Sequence, residues 1–246
     1  MRAFLLAAGR GTRLHPYTAD CPKCLIPING RPLMAYWLEL FARHGVSDVL
    51  VNTHHHADQV SAFLDAERHR YGFGIHITHE PELLGSGGTV AANRSFVRGT
   101  GPFFIIYADN LSRVNLTDMA GAHERGAALG AVLTMGLFRA PVPQAAGIAE
   151  LDDLGRIVRF TEKPLQPAGN LANAGVYVAT DAVVDAVCRL KAQMETTVLD
   201  FGHHVLPSLE GRMMGYPIAA YHRDIGTVEA YHQALEEWGE PKGELP

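Results

Sequence analysis

Short strand-like segments alternate with helical segments through the first 110 residues, and this alternation constrains the fold more than any other feature. Residues 3–8, 47–52 and 74–79 have the pattern of strands, and apolar residues at helical spacing lie between them. The run 102–107 is apolar without interruption, which is typical of a central parallel strand covered on both faces. Such a chain is predicted to form a doubly wound α/β sheet whose ligands lie beyond the carboxyl ends of its strands.

The second half of the chain is predicted to be richer in β-structure. Segments 147–151 and 156–160 flank a turn containing two aspartates and a glycine, which predicts a hairpin. The remaining predicted elements are strands over 129–138, 171–179 and 213–221 and helices over 181–190, 200–209 and 227–238.

Composition bounds the class of protein. The chain has 246 residues, 47% of them hydrophobic, and a formal net charge of −5, which suits one large α/β domain. Without a basic excess, a nucleic-acid partner is not expected. No run of 18 apolar residues and no signal-peptide pattern occurs, so we expect no membrane association and a cytoplasmic protein.

Two glycine-containing segments suit a bound polyanion. Gly9 and Gly11 follow the first strand, and glycines let backbone N–H groups approach phosphate oxygens closely. Arg13 and Lys23 lie just beyond them and could neutralise phosphate charge. A second glycine-rich segment, predicted to be a loop, covers residues 84–90.

Two of the three cysteines flank Lys23. Cys21 and Cys24 have the spacing of a redox or zinc motif, but zinc would need two further ligands and no second such pair exists. A redox pair would directly follow a strand, whereas here the glycine loop intervenes. We therefore interpret both cysteines as neighbours of a functional lysine.

The segment from Gly9 to Leu25 resembles the signature loop of the sugar 1-phosphate nucleotidylyltransferases. Further motifs match in the family's order, and the resemblance extends from Phe4 to about Tyr231. These motifs are Asp109, Glu162-Lys163-Pro164, Asn173-Ala174-Gly175 and Asp224-Ile225-Gly226-Thr227.

The resemblance implies a fold and a reaction. The fold would be a Rossmann-like, doubly wound mixed sheet of the glycosyltransferase-A type with a β-rich, sugar-binding second half. One domain would span residues 1–240, divided into a nucleotide-binding half (1–128) and a sugar-binding half (129–240), with a tail at 241–246. The reaction would join a nucleoside triphosphate to a sugar 1-phosphate with Mg²⁺ and release pyrophosphate. Many relatives carry a left-handed β-helix after the catalytic domain, and we expect none here.

The resemblance also implies roles for individual residues. Catalysis would rest on Arg13, Lys23 and Asp109, and Asp109 and Asp224 would hold Mg²⁺. The nucleotide would contact Leu6, Ala7, Ala8, Gly9, Gly11, Thr12, Arg13, Glu80, Gly85 and Gly88. The sugar phosphate would contact Gly147, Glu162, Lys163 and Asn173.

Base and sugar preferences leave alternatives open. The carboxylate of Glu80 only accepts hydrogen bonds, which favours the adjacent donors of guanine, with a mannose- or heptose-type sugar 1-phosphate. A uridylyl- or thymidylyltransferase acting on another hexose 1-phosphate is the first alternative, and an inactive sugar-nucleotide sensor is the second. A nicotinamide-dependent oxidoreductase is disfavoured because Arg13-Leu14 replaces the expected third glycine. Relatives often form dimers or tetramers, so a homo-oligomer is also an expectation.

Overall fold

The computed structural model describes residues 1–194 and 198–239, so the predicted tail at 241–246 lies outside the described residues. The first half contains, in chain order, β1 (Arg2–Leu6), β2 (Pro27–Ile28), β3 (Arg31–Pro32), α1 (Leu33–Arg43), β4 (Asp48–Thr53), α2 (Ala57–Glu67), β5 (Gly74–His79), α3 (Ser86–Ala92), β6 (Phe103–Tyr107), β7 (Asn110–Ser112) and α4 (Leu116–Ala127). The second half contains β8 (Leu133–Arg139), β9 (Gly147–Leu151), β10 (Arg156–Glu162), β11 (Leu171–Ala179), α5 (Asp181–Gln193), β12 (Met213–Pro217), β13 (His222–Asp224) and α6 (Val228–Glu237).

One mixed sheet runs through both halves of the chain. Its nine strands have the order β5-β4-β1-β6-β11-β8-β12-β10-β9. The first four are parallel, with Leu5 of β1 opposite Val51 of β4 and Ile106 of β6. Strand β11 runs antiparallel to β6 and so joins the two halves. The predicted doubly wound mixed sheet with a β-rich second half is therefore confirmed.

Both faces of the central strands are buried, which explains their continuous apolar sequence. In β1, Ala3 and Leu5 belong to the hydrophobic cluster on one face of the sheet, and Phe4 and Leu6 belong to the cluster on the other. The first cluster includes residues of α1, α2 and α4, and the second includes residues of α3 and α5. Since side chains alternate across a strand, a strand covered on both sides needs apolar residues at every position.

A small two-stranded sheet brings distant parts of the sequence together. Strand β13 pairs antiparallel with β7, which places Asp224 opposite Asn110. The backbone N–H of Ile225 also donates to the carbonyl oxygen of Asp109 at 3.1 Å. Asp109, two residues beyond β6, and Asp224, which ends β13, therefore become neighbours, although 115 positions separate them in sequence.

Four predicted elements differ from the structure, and one of them is the strand predicted over 129–138, which begins only at Leu133. The predicted loop at 84–90 becomes helical from Ser86, because the N–H groups of Gly87 and Gly88 donate to the carbonyl of Leu199 at 2.8 and 3.1 Å. The predicted helix 200–209 is a π-helical turn followed by a 3₁₀ turn containing Pro207, whose ring nitrogen has no hydrogen to donate. The predicted strand 213–221 ends at Pro217.

The helices show the expected end signals in part. Helix α6 begins after Thr227, whose hydroxyl accepts a hydrogen bond from the Ala230 N–H at 3.2 Å. Thr180, which precedes α5, makes no side-chain hydrogen bond to that helix. Among the described helices, none combines the length and the apolar composition that crossing a membrane requires.

Candidate active site

Two cavities open at the carboxyl ends of the strands and meet at Asp109. The first is lined by Leu6, Ala7 and Ala8 at the end of β1, and by Glu80 and Gly85 before α3. The second is lined by Arg13, Gly147, Glu162, Lys163 and Asn173. Tyr107, Asp109 and Asp200 line both cavities. Most residues predicted to contact a nucleotide and all residues predicted to contact a sugar phosphate thus lie in two adjoining cavities.

Lys23 lines the first cavity and contacts Asp109, where the two cavities meet. Its Nζ donates to Asp109 Oδ2 at 2.6 Å and lies 3.7 Å from Asp224 Oδ1. The lysine side chain is only 9% exposed, whereas the Asp109 and Asp224 side chains are 39% and 54% exposed. Burial alone would lower the pKa of Lys23, but the two carboxylates reverse this effect and raise it. Lys23 is therefore held as an ammonium group.

The two carboxylates repel each other. Desolvation and the negative charge of Asp109 raise the pKa of Asp224, and Lys23 opposes this shift. Two partly exposed carboxylates side by side offer the hard oxygen ligands that Mg²⁺ prefers, and a cation there would relieve their repulsion. Asp109 and Asp224 therefore fit a divalent cation.

A fork of hydrogen bonds fixes the strand that carries Asp224. The guanidinium of Arg223 donates to both carboxylate oxygens of Glu237 at 2.7 Å and to Gln233 Oε1 at 2.6 Å. Glu237 and Gln233 belong to α6, so this pair fastens β13 to the final helix. Planar guanidinium groups suit such two-point binding of a carboxylate.

Glu80 is buried in a polar network at the back of the first cavity. Its Oε1 accepts from Asn52 Nδ2 at 2.9 Å and from the Thr89 hydroxyl at 2.5 Å, and its Oε2 accepts from the Leu84 N–H at 3.1 Å. Asn52 Oδ1 accepts in turn from the Ala7 N–H at 2.7 Å. The amide hydrogens of Asn52 and the hydroxyl hydrogen of Thr89 are therefore used within the protein, while the carboxylate keeps spare acceptor capacity.

Glycines make room for Glu162 in the second cavity. A Cβ on Gly147 would overlap the ring of Phe160 and lie 2.5 Å from Glu162 Oε2, and one on Gly202 would lie 2.7 Å from the same oxygen. Burial raises the pKa of Glu162, with Asp200 adding to the shift and Lys163 and His203 opposing it. Glu162 is thus an acceptor confined between close backbone segments.

Asn173 holds other residues of this cavity in place. Its Nδ2 donates to the Tyr177 hydroxyl at 2.7 Å, and its Oδ1 accepts from the Gly175 N–H at 3.0 Å. A Cβ on Gly175, whose φ is +64°, would overlap the Tyr107 ring. One amide hydrogen of Asn173 stays available to a ligand.

Three of the predicted nucleotide contacts lie outside the cavity walls as the structure defines them. Gly11 has φ +64°, and a Cβ there would lie 3.0 Å from Lys23 Cβ, so it lets the lysine segment approach the loop. Thr12 begins a 3₁₀ turn, and Gly88 is buried inside α3. Gly9 does line the first cavity.

Sequence reasoning missed Asn52, Tyr107 and Asp200. Asn52 and Tyr107 lie at or near the carboxyl ends of β4 and β6, where ligands of such sheets lie, so the predicted sheet edge was a usable signal for both. Asp200 carried no such signal, because no predicted strand ends near it in the sequence. The three cysteines are free, and burial raises the pKa of Cys24 to about 12.

The sheet, the glycine loop and the paired carboxylates together form the candidate site, and comparison with known proteins gives the family. The nucleotidyl transferase family model matches residues 2–240, and the chain belongs to this family. The family resemblance predicted from the sequence is therefore confirmed.

Three curated relatives illustrate the range of similar proteins. Mannose-1-phosphate guanyltransferase beta-B of Xenopus laevis is 27% identical over 94% of this chain and 62% of its own length. UTP–glucose-1-phosphate uridylyltransferase of Synechocystis is 30% identical over 96% of this chain and 62% of its own. Glucose-1-phosphate thymidylyltransferase of Streptomyces griseus is 30% identical over 93% of this chain and 63% of its own length. This chain thus spans about three-fifths of the length of these relatives.

Solved structures share the fold over their whole length. A Bacillus anthracis protein proposed to be a glucose-1-phosphate thymidylyltransferase, solved with sucrose, gives a TM-score of 0.85 at 20% identity and covers 100% of this chain and 98% of its own. HddC from Yersinia pseudotuberculosis, solved with GMP-PN, gives a TM-score of 0.77 at 22% identity. The match covers 97% of this chain and 99% of HddC. At these identities the likeness establishes the fold alone.

Proposed function

We propose that this chain is a sugar 1-phosphate nucleotidylyltransferase. The observation that carries the proposal is the position of the Lys23 ammonium, 2.6 Å from Asp109 and 3.7 Å from Asp224 at the junction of two cavities. A reaction between two phosphate-bearing substrates needs such concentrated charge at their meeting point. The membership of the nucleotidyl transferase family supports the same reaction class.

The chemistry joins the contents of the two cavities. An oxygen of the sugar 1-phosphate attacks the α-phosphorus of a nucleoside triphosphate, a new phosphorus–oxygen bond forms, and the bond to the β-phosphate breaks to release pyrophosphate. The attacking oxygen is already ionised at neutral pH, so no general base is required. Lys23 stabilises charge at the α-phosphate, Arg13 binds the triphosphate, and Lys163 binds the sugar phosphate. The protein contributes positioning and charge neutralisation.

Asp109 and Asp224 would hold Mg²⁺. When bound, the ion would neutralise triphosphate charge and help to orient the phosphates. Both carboxylates are partly exposed and line the cavities, so phosphate oxygens bound there could reach such an ion.

We propose GTP as the nucleotide, with a mannose- or heptose-type sugar 1-phosphate. Glu80, Asn52 and Thr89 present spare acceptors and no spare side-chain donor, which suits the adjacent N1–H and 2-amino donors of guanine. Uracil and thymine offer a single ring N–H between two carbonyl oxygens, which a carboxylate would repel. A guanyltransferase is among the similar proteins. UTP or dTTP with another hexose 1-phosphate stays the alternative, because a uridylyltransferase and a thymidylyltransferase are each 30% identical to this chain.

A sugar-nucleotide sensor without activity is disfavoured. Such a protein needs the two cavities but has no need for Lys23 and its two carboxylates, all of which are present.

Small phosphorylated substrates, rather than nucleic acid, suit a net charge of −5 with a local group of cations. Assembly into a homo-oligomer stays a prediction.

Pyrophosphate release tests the proposal. The purified chain is assayed with GTP, UTP, dTTP, CTP and ATP, each with several sugar 1-phosphates and Mg²⁺. We expect release that needs both substrates and is reduced about a hundredfold or more by Asp109→Asn. Asp65→Asn is the matched control. It changes an exposed carboxylate on α2 that is paired with Arg68, and the variant should release pyrophosphate at the wild-type rate. No release with any pair would refute the proposed reaction.

A further inference from the structure

Asn52 links three segments around the first cavity. It lies near the end of β4, is 3% exposed and lines the cavity. Its Oδ1 accepts from the Ala7 N–H at 2.7 Å, and its Nδ2 donates to Glu80 Oε1 at 2.9 Å and approaches the Thr89 hydroxyl at 3.0 Å. One buried amide therefore connects the end of β1, the candidate base-reading carboxylate and helix α3.

The chemistry of the partners fixes the orientation of this amide. The Ala7 N–H is a donor and must face the oxygen of Asn52, whereas the Glu80 carboxylate is an acceptor and must face the nitrogen. The reversed amide would place two donors against each other on one side and two acceptors on the other, so it is unfavourable. Asn52 therefore presents its donors to Glu80 in one orientation only.

These contacts also determine which parts of Glu80 stay available. Oε1 has two protein donors, Asn52 and Thr89, whereas Oε2 has one, the Leu84 N–H. A carboxylate offers about four acceptor positions, so the unused capacity lies mainly on Oε2. Without Asn52, the carboxylate would lose one of its restraints and water could enter the vacated space beside it.

We propose that Asn52 is a positioning residue for nucleobase selection: it holds the Glu80 carboxylate so that an acceptor faces the 2-amino edge of guanine. The inference rests on the proposed function, because it assigns the first cavity to the base of the nucleotide. It predicts that Asn52 controls the choice of base more than the rate of transfer, since no contact joins it to Lys23, Asp109 or Asp224 among the described hydrogen bonds.

The test compares GTP with ITP, which differs only in lacking the 2-amino group. The measured quantity is the ratio of kcat/KM for the two nucleotides. A hydrogen bond from the 2-amino group to a carboxylate should favour GTP by about tenfold to a hundredfold in wild type. We expect Asn52→Ala to reduce this ratio to about threefold or less, while the KM for the sugar 1-phosphate changes by less than about threefold.

Asn93→Ala is the matched control. Asn93 also binds Thr89, through a hydrogen bond from Nδ2 to the Thr89 carbonyl at 2.9 Å, but it lies at the end of α3 and does not line either cavity. Its loss should leave the GTP-to-ITP ratio as in wild type. If Asn52→Ala does not fold, Asn52→Ser supplies the measurement, because a serine hydroxyl is too short to reach both Ala7 and Glu80.

The outcomes separate this inference from the proposed function. Asn52 variants that keep the wild-type ratio would overturn the inference, as would a wild-type ratio near one. If the wild-type chain releases no pyrophosphate with any substrate pair, the proposed function fails. Calorimetric titration of wild type and Asn52→Ala with GTP and with ITP then measures the same selectivity without turnover, and equal preferences in both proteins would overturn the inference.

Discussion

Replacing Lys23 by methionine removes the ammonium group at the junction of the two cavities and keeps most of the side-chain volume. The ammonium lies 2.6 Å from Asp109 Oδ2 and 3.7 Å from Asp224 Oδ1. In the proposed reaction it would also lie beside the α-phosphate, where negative charge accumulates during transfer. Lys23→Met therefore separates the contribution of this charge to stability from its contribution to catalysis.

The structure predicts a small effect on stability. Both carboxylates are substantially exposed, so water screens the two ion pairs, and at the dielectric constant of water each is worth about 1–2 kcal/mol. The desolvation of the nearly buried lysine opposes this gain. The net change in the free energy of unfolding should be about 1 kcal/mol or less, which corresponds to about 4 °C or less in Tm for a chain of this size.

The predicted effect on catalysis is much larger. Loss of one preorganised charge contact to the transition state typically reduces kcat about a hundredfold or more, which is about 2.7 kcal/mol or more. The assay measures initial rates of pyrophosphate release and thermal unfolding for wild type and Lys23→Met. Arg43→Met is the control, since Arg43 is paired with Glu39 at 3.3 Å on an exposed face of α1. A kcat within about tenfold of wild type would refute the role of Lys23.

Three further predictions concern the second cavity and the strand beside it. The pKa of Glu162 is raised by burial above its ordinary 4.5, so the KM for the sugar 1-phosphate should increase as pH falls through that raised pKa. Glu162→Gln should remove this pH step, and a step that persists in the variant would assign it to another group. Gly147→Ala would place a Cβ against Phe160 and Glu162, so we expect the KM for the sugar 1-phosphate to increase about tenfold or more; an unchanged KM would contradict the close packing. Arg223→Lys breaks the two-point contact with Glu237, and steady-state titration with Mg²⁺ should show a severalfold higher half-saturating concentration with a Tm close to wild type. If Tm falls while the half-saturating Mg²⁺ concentration does not change, the contact between Arg223 and Glu237 contributes only to stability.

The sequence predicted the parallel part of the sheet well because its signals are local. Strand β5 occupies the predicted residues, and the uninterrupted apolar run 102–107 correctly indicated a central strand buried on both faces. Ligands of such sheets lie beyond the carboxyl ends of the strands, and this rule correctly predicted where the polar segments after β1 and β6 would converge.

Elements that depend on distant partners could not be predicted from local patterns. Gly87 and Gly88 favour a loop by composition, yet they are helical because their N–H groups find an acceptor on Leu199, more than 100 positions away. In the same way, β13 is separated from β12 because it pairs with β7 rather than with the main sheet.

The candidate site was predictable as a set of residue types but not as a set of contacts. The motif residues lie around two adjoining cavities, yet the sequence could not show that the Asn173 amide binds Tyr177 and Gly175, or that Glu80 accepts from Asn52, Thr89 and the Leu84 N–H. Such contacts depend on strand register and on the direction of each side chain, which a single sequence does not specify.

The products of the reaction test the central claim most directly. Phosphorus NMR of the chain with GTP, mannose 1-phosphate or a heptose 1-phosphate, and Mg²⁺ follows every phosphorus atom in the mixture. We predict that the sugar phosphate signal is replaced by two coupled diphosphate signals of a nucleoside diphosphate sugar, with one equivalent of pyrophosphate. If GTP instead yields GDP and inorganic phosphate while the sugar phosphate stays unchanged, or if no pair of nucleotide and sugar phosphate reacts, the assignment of this site to nucleotidyl transfer is wrong.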